Sequence, residues 1–435
     1  MTQVRSPDAR LEAARRIAQE VGRHLDVDVS VRLWDGSRVP LGRSVKSEVT
    51  LAINSAGALS SLARWPSLDR VIRHYAHGHI DVEGGTILDL GEQLGTADAR
   101  RQLRKVDKLK LLGLARPLLF GRGDSASASR AFRDGSHGDD RHGERSKIQF
   151  HYDVGNDFYA LFLDDEMTYT CAYFTQWSNS LEQAQLDKLD MICRKLRLQP
   201  GERLLDIGSG WGGLICFAAQ NYGVSATGVT LSQTQTDFAR EKIQRLGLQD
   251  RVEVRLENYL DLDGQFDKIA SIGMYEHVGV RNYPAYFNKI RSLLADDGLF
   301  LNHGITRRGK RKQRRFTSRP EQRALLKYIF PGGELDDIGH TVQQMEAAGF
   351  EVHDVEGWRW HYALTTRKWL ERLSARREEA IAIAGAQTYR IWIAYLAGCS
   401  LAFSRGSARI FQTVAGKSAR GQPPLPPTRA DLYQP

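Results

Sequence analysis

The alternation of apolar and polar positions divides this chain before any chemistry is considered. Residues 8–25 place Leu11, Ala14, Ile17, Ala18, Val21 and Leu25 at helical spacing, and Val27, Val29, Val31 and Leu33 then alternate with polar residues up to the turn Asp35-Gly36. The pattern predicts a helix feeding a hairpin strand. A helical stretch over 59–76 and further short segments to about Arg116 complete a small α+β domain over 1–120. His74, His77 and His79 fall inside it, but no carboxylate or thiol cluster accompanies them and their spacing matches no tight metal site.

Further along, the period changes. Strand patterns near 203–207, 225–230, 252–256, 266–272 and 298–303 alternate with helical ones near 212–221, 232–246 and 283–294. This predicts an α/β domain over 147–416, with a parallel sheet covered on both faces. Between the two domains, 121–146 is Gly, Ser, Asp, Arg and His with Phe132 as its large apolar group, too little to offset the entropy of ordering, so it reads as a flexible linker. Residues 417–435, with Pro423, Pro424, Pro426 and Pro427, read as an extended, weakly ordered tail.

Composition narrows the class. At 435 residues, 41% hydrophobic and 26% charged, the chain has the make-up of a soluble globular protein long enough for two domains. Cys171, Cys193, Cys216 and Cys399 form no CxxC pair, which suits a reducing cytoplasm. Residues 1–31 hold no signal-peptide apolar core. The apolar run 391–403 is shorter than the roughly 20 residues needed to cross a bilayer, so membrane contact is expected to be peripheral. The net charge of +9 includes Arg307, Arg308, Lys310, Arg311, Lys312, Arg314, Arg315 and Arg319, a run without acids that attracts polyanions or is merely a solvated loop. No nucleic-acid module accompanies it and Phe316 alone is no stacking platform, so an anionic lipid surface is the favoured partner.

The most informative segment is Leu204-Leu205-Asp206-Ile207-Gly208-Ser209-Gly210-Trp211-Gly212-Gly213, an apolar strand entering a glycine-dense turn that opens a helix. Side chains at Gly208 or Gly210 would hold a ligand off the backbone and demand a positive φ. A dinucleotide site wants an acid about 20 residues on, and Ala226-Thr227-Gly228-Val229-Thr230-Leu231-Ser232 carries none. Nicotinamide and flavin are therefore disfavoured. S-adenosylmethionine, which has a ribose and adenine but no pyrophosphate, fits Asp206 and the polar groups of Thr230 and Gln235. Ser232-x-x-Gln235 also reads as a capping box, unless Gln235 turns to a ligand.

Several separated segments point one way: His151-Tyr152-Asp153-Val154-Gly155-Asn156-Asp157-Phe158-Tyr159, Tyr169-Thr170-Cys171-Ala172-Tyr173-Phe174, the glycine loop, Met274-Tyr275-Glu276-His277-Val278-Gly279, and Lys327-Tyr328-Ile329-Phe330-Pro331-Gly332-Gly333. Together they resemble the cyclopropane fatty acid synthase family, including the mycolic acid cyclopropane synthases, strongly over about 147–415. The first 116 residues resemble that family's smaller lipid-associated domain more loosely, through Leu33-Trp34-Asp35-Gly36 and Gly78-His79-Ile80-Asp81-Val82-Glu83-Gly84. Many relatives have cysteine where Ser209 stands, a small-for-small change.

The resemblance implies a Rossmann-like methyltransferase that adds a methylene from S-adenosylmethionine to the double bond of an unsaturated phospholipid acyl chain. An alkene is a weak nucleophile, so it must be aligned with the sulfonium methyl and the resulting carbocation kept dry. Tyr173, Phe174, Tyr275 and Tyr362 are candidates to stabilise that cation through their ring faces. Ring closure then needs a base, in this family a bound bicarbonate, whose implied cage is Glu276, His303 and Tyr362 with backbone groups of Cys171 and Ile305. Implied cofactor contacts are Tyr169 and Thr170 at the methionine end, Asp206, Gly208 and Gly210 beneath the ligand, Thr230 and Gln235 at the ribose, and Asn258 and Tyr259 at the adenine. Expected location is cytoplasmic and peripheral to an anionic membrane, with no metal and no nucleic acid, and a homodimer stays open. A methylene or methyl-branched product is the rival within this chemistry, and a non-catalytic lipid-binding protein the rival outside it.

Overall fold

The computed structural model describes residues 8–120, 154–309, 333–417 and 425–433. The expected linker, His151-Tyr152-Asp153, residues 310–319 of the basic run and residues 327–332 lie outside these. The chain divides into two compact units, Met1–Asp134 with Ala384–Leu401, and Gly135–Ile383 with Ala402–Pro435.

In the first unit, the helix Ala9–His24 starts at Asp8, whose side chain accepts from the Arg10 backbone N–H, and buries Ala13, Ala14 and Ala18. The hairpin follows as expected: β1 (Ser30–Arg32) pairs antiparallel with β2 (Arg38–Pro40), and Val27, Val29, Val31 and Leu33 are all buried. With β3 (Thr50–Ile53) and β4 (Ile80–Glu83) they form a sheet ordered β2-β1-β3-β4.

The helix expected over 59–76 is instead two, Ala56–Arg64 and Leu68–Ala76. Pro66 keeps Trp65 out of helical geometry, and Ser67 restarts the helix by accepting from the Arg70 N–H at 3.2 Å. The expected boundary at 147–416 also shifts, because Ala384–Leu401 groups with this unit. Arg390 shows why: its guanidinium donates to the carbonyls of Tyr75 and Ile80 and to Asp81.

The second unit carries β5 (Arg203–Ile207), β6 (Ser225–Thr230), β7 (Val252–Leu256), β8 (Phe266–Ile272) and β9 (Leu294–Arg307), mutually parallel as the pattern predicts. Leu204, Ala270, Leu299 and Leu301 face one apolar cluster while Leu205, Ile269 and Phe300 face another, so both sides of the sheet are covered. Each of these Leu, Ile and Phe side chains contributes about 1.5–3 kcal/mol by leaving water.

The sheet is not wholly parallel. β10 (Phe350–Gly357) and β11 (Ala408–Lys417) extend it to the order β10-β11-β9-β8-β5-β6-β7, with β11 antiparallel to both neighbours. β11 buries Gln412 and Thr413 at its centre, which blurs the apolar pattern of a core strand. The tail is docked rather than loose over its described part: Leu432 is buried, Asp431 accepts from Arg197 at 3.3 Å, and Arg429 pairs with Asp354 at 2.8 Å. Among the described residues no helix is long and apolar enough to cross a membrane.

Candidate active site

The turn after β5 is built from backbone. Gly208 and Gly210 have φ of 83° and 53°, a region costly to other residues. A Cβ on Gly208 would come within 3.0 Å of the Met274 side chain, whereas one on Gly210 would project into space empty to 4 Å. The N–H groups of Gly208 and Ser209 both donate to the Val229 carbonyl, pinning the loop to β6. Ser209 lies so close to Gly228 that a Cβ there would meet its own at 2.7 Å. The helix Gly213–Tyr222 then begins.

This turn borders a cavity of about 790 Å³, and Tyr169, Thr170, Asp206, Gly208, Gly210, Thr230, Gln235, Asn258 and Tyr259 all line it. Every expected cofactor residue is thus brought to one space. Asp206 is buried, its Oδ1 has no partner among the described residues, and burial pushes its carboxyl up to about 7 while the Lys188 charge opposes the shift. Gln235 accepts from the Thr230 hydroxyl at 2.8 Å instead of closing a full capping box, while Ser232 still accepts from its N–H. Asn258 accepts from the Leu260 N–H at 3.0 Å and so shapes the short turn Tyr259–Asp261.

Lys188 escaped the sequence reasoning. It lines the cavity, is 2% exposed, and donates to the Thr170 hydroxyl at 3.1 Å. Burial lowers its pKa to about 8 against the pull of Asp164 and, more weakly, Asp206. The signal was a lysine breaking the buried stripe Ala184, Leu189 and Ile192 of the helix Leu181–Leu196.

Beside the cavity lies a second centre. β8 ends at Ile272, which pairs with His303, and the Gly273 N–H donates to the His303 carbonyl at 2.7 Å. β9 runs on, and its next inward N–H, on Ile305, is taken by Glu276 Oε1 at 2.5 Å, so a side chain continues the ladder where the strand stops. The Tyr275 hydroxyl donates to the Ile305 carbonyl at 3.2 Å. A Cβ on Gly304 would fall 1.9 Å from the Tyr275 ring, so only glycine permits this packing.

Glu276 Oε2 is buried without a partner among the described residues, and burial pushes the carboxyl up to about 7, opposed by the Ile305 N–H. Burial lowers the neighbouring His277 imidazole to about 4. His303 is wholly buried, with Nδ1 3.0 Å from Gln412 Nε2 and with no partner for Nε2 among the described residues. Trp358 meets its ring edge-on with centroids 5.2 Å apart. Cys171 Sγ lies 3.9 Å from the Trp358 carbonyl, which also accepts from the Tyr362 N–H at 3.1 Å.

The structure therefore joins Glu276 to Ile305 and brings His303 and Cys171 to Trp358, while the Tyr362 ring packs against Trp369 and Phe403. None of the five implied cage residues lines the large cavity, and neither do Tyr173, Phe174 or Tyr275. Burial raises the Cys171 thiol far above its ordinary range, which rules against a thiolate nucleophile. Trp358, Lys195 and Gln412 are further members that the sequence did not reveal. Arg307, counted in the basic run, is committed internally to Asp336 and Asp337 at 3.3 and 3.4 Å.

With this geometry in hand, comparison with known proteins is specific. The family model described as mycolic acid cyclopropane synthetase matches residues 139–413. A probable fatty acid methyltransferase of Pseudomonas putida is 38% identical over 413 residues, 94% of this chain and 97% of that protein. The cyclopropane-fatty-acyl-phospholipid synthase of Escherichia coli (strain K12) is 40% identical over 264 residues, 61% of this chain and 66% of that protein. Among solved structures, a mycolic acid cyclopropane synthase complexed with SAH and CTAB aligns with a TM-score of 0.60 and 35% identity, covering 63% of this chain and 98% of its own.

Proposed function

The chain belongs to the mycolic acid cyclopropane synthetase family of S-adenosylmethionine-dependent methyltransferases that modify acyl chains, and from that premise we propose that it converts the double bond of an unsaturated phospholipid acyl chain into a cyclopropane. The observation that carries this is the pairing of a glycine-floored cavity with two buried polar atoms beside it, Glu276 Oε2 and His303 Nε2, that have no partner among the described residues. Buried groups without partners cost about 1–3 kcal/mol each. Such a cost is retained where a ligand completes the bonds.

The residues present fit both groups that the chemistry requires. Bound S-adenosylmethionine supplies the electrophilic methyl; Gly208 and Gly210 allow close backbone approach, Asp206 Oδ1 accepts from an ammonium, and Tyr169 and Thr170 flank the methionine end. Thr230 and Gln235 serve the ribose, and Asn258 and Tyr259 the adenine. Bicarbonate, when bound, would supply a proton acceptor for ring closure; Glu276 Oε2 would accept its hydroxyl, His303 and Tyr362 would donate to its oxygens, and backbone at Cys171 would complete the cage, whereas Ile305, implied in the cage by the resemblance, acts through Glu276, whose Oε1 takes its N–H. Proximity to the alkene and exclusion of water are the protein's main contributions.

Mass spectrometry of lipids from cells expressing the chain tests the proposal: a gain of one CH2 per unsaturated acyl chain, resistant to hydrogenation, is expected. The 94% coverage by a probable fatty acid methyltransferase favours a second reading, a methylene or methyl-branched product. An added carbon whose product takes up hydrogen would select that reading, and no added carbon would defeat both. We propose peripheral contact with an anionic membrane as well, supported by the net charge of +9. Cosedimentation with anionic vesicles that is absent at low salt would remove it.

A further inference from the structure

The hydrogen bonds behind His303 run in one direction. Lys195, 1% exposed, is ion-paired with Glu356 and donates to Gln412 Oε1 at 2.7 Å. An ammonium has donors only, so the Gln412 amide must present its oxygen to Lys195. Its NH2 is then turned toward His303 Nδ1, 3.0 Å away. An amide NH2 donates, so Nδ1 must be the acceptor, and the single proton of a neutral imidazole is left on Nε2.

The parts are held firmly. His303 and Gln412 are register partners on β9 and β11. Lys195 Nζ lies 5.1 Å over the Trp358 ring that His303 meets edge-on. Burial, with the charges of Lys188 and Lys195, holds the His303 pKa well below its ordinary value, which keeps the ring neutral. Glu356 opposes the loss of charge that burial would impose on Lys195.

We propose that Lys195 and Gln412 are positioning residues that lock His303 in the tautomer with its proton on Nε2, so that His303 offers a buried donor to an anion and cannot itself accept the proton. The anion rests on the function proposed above, whereas the tautomer does not. Sequence separation hides the relay, since Lys195 and Gln412 lie 217 positions apart.

Ring-nitrogen spectra of full-length protein labelled with 15N-histidine, with the His303 signals identified by their loss in His303→Gln, test the lock without activity. Wild type should show a protonated Nε2 and a bare Nδ1. In Gln412→Glu the carboxylate accepts from both sides, so the proton should move to Nδ1, and turnover should fall by roughly 10²-fold with S-adenosylmethionine affinity within about twofold. Lys195→Arg, still only a donor, should keep the wild-type tautomer. A wild-type Nδ1–H on His303 overturns the proposal by itself, even if neither Gln412→Glu nor Lys195→Arg folds. Full turnover in a variant whose tautomer has switched overturns the positioning role. If the tautomers behave as stated but turnover ignores added bicarbonate, the lock stands and the bicarbonate cage falls.

Discussion

The cavity and the Glu276–His303 centre solve different problems with different materials. The cavity is floored by backbone, at glycines whose missing side chains leave room, and its polar lining is spread over several strand ends. The centre is closed and made of side chains, two of whose polar atoms, Glu276 Oε2 and His303 Nε2, have no partner among the described residues. A site for binding a large cofactor needs space and shape, whereas a site for handling one proton needs fixed donors and acceptors in a dry surrounding. Substitutions should therefore separate affinity from turnover, according to which region they touch.

The largest separation is expected from Glu276→Gln, which keeps the shape but cannot hold a carboxylate. Turnover should drop by about 10²–10⁴-fold with little change in S-adenosylmethionine affinity. Equal losses in both would move Glu276 to the cofactor side of the comparison. Because burial places its carboxyl at about 7, wild-type turnover should climb as pH rises through that value and the acid ionises, and this limb should vanish in the variant.

Gly210→Val tests the other region. Its φ of 53° suits glycine, and the new side chain would point into open space rather than into protein. Affinity for S-adenosylmethionine measured by calorimetry should fall more than tenfold because the side chain blocks the approach, while about 1–2 kcal/mol of backbone strain lowers stability with the fold kept. Unchanged affinity would detach the loop from the cofactor.

A smaller effect concerns stability. The Asp206 carboxyl titrates at about 7 in the folded chain, against roughly 3.9 when unfolded. Between those values the folded form holds a proton that the unfolded form has released, so stability falls as pH rises from about 4 to 7. Asp206→Asn removes that loss. Without ligand, its Tm relative to wild type should be higher at pH 8 than at pH 4 by about 4 °C, because about three pKa units correspond to roughly 4 kcal/mol, and a gap independent of pH would show that Asp206 is not held protonated.

The contrast between regions also governs what could be read from the sequence. Gly208, Gly210, Asp206 and the strands β5 to β9 announce themselves locally, because a tight turn and an apolar run each use consecutive residues. The family resemblance extends this to Glu276, which lies in one of the quoted segments, and implies His303, which lies in none of them. Lys188 is marked only as a break in the buried stripe of its helix, and nothing local marks Lys195 on the buried face of the same helix. Gln412 is hidden for a related reason, since a buried amide in β11 gains its meaning only when β9 lies alongside. The split of the 59–76 helix was available from Pro66 and Ser67 and was overridden by periodicity on either side.

β9 is 14 residues long where β8 is 7, and the overhang carries His303, Gly304 and Ile305 in sequence. Alternate residues of a strand face opposite sides, so a shift by one position exchanges the two sets. Such a shift would put a side chain where the Tyr275 ring now lies against Gly304 and would turn His303 away from Gln412. Insertions and deletions in descendants of this chain should accordingly accumulate before Leu294 or after Arg307, while the segment between them changes its residues without changing its length.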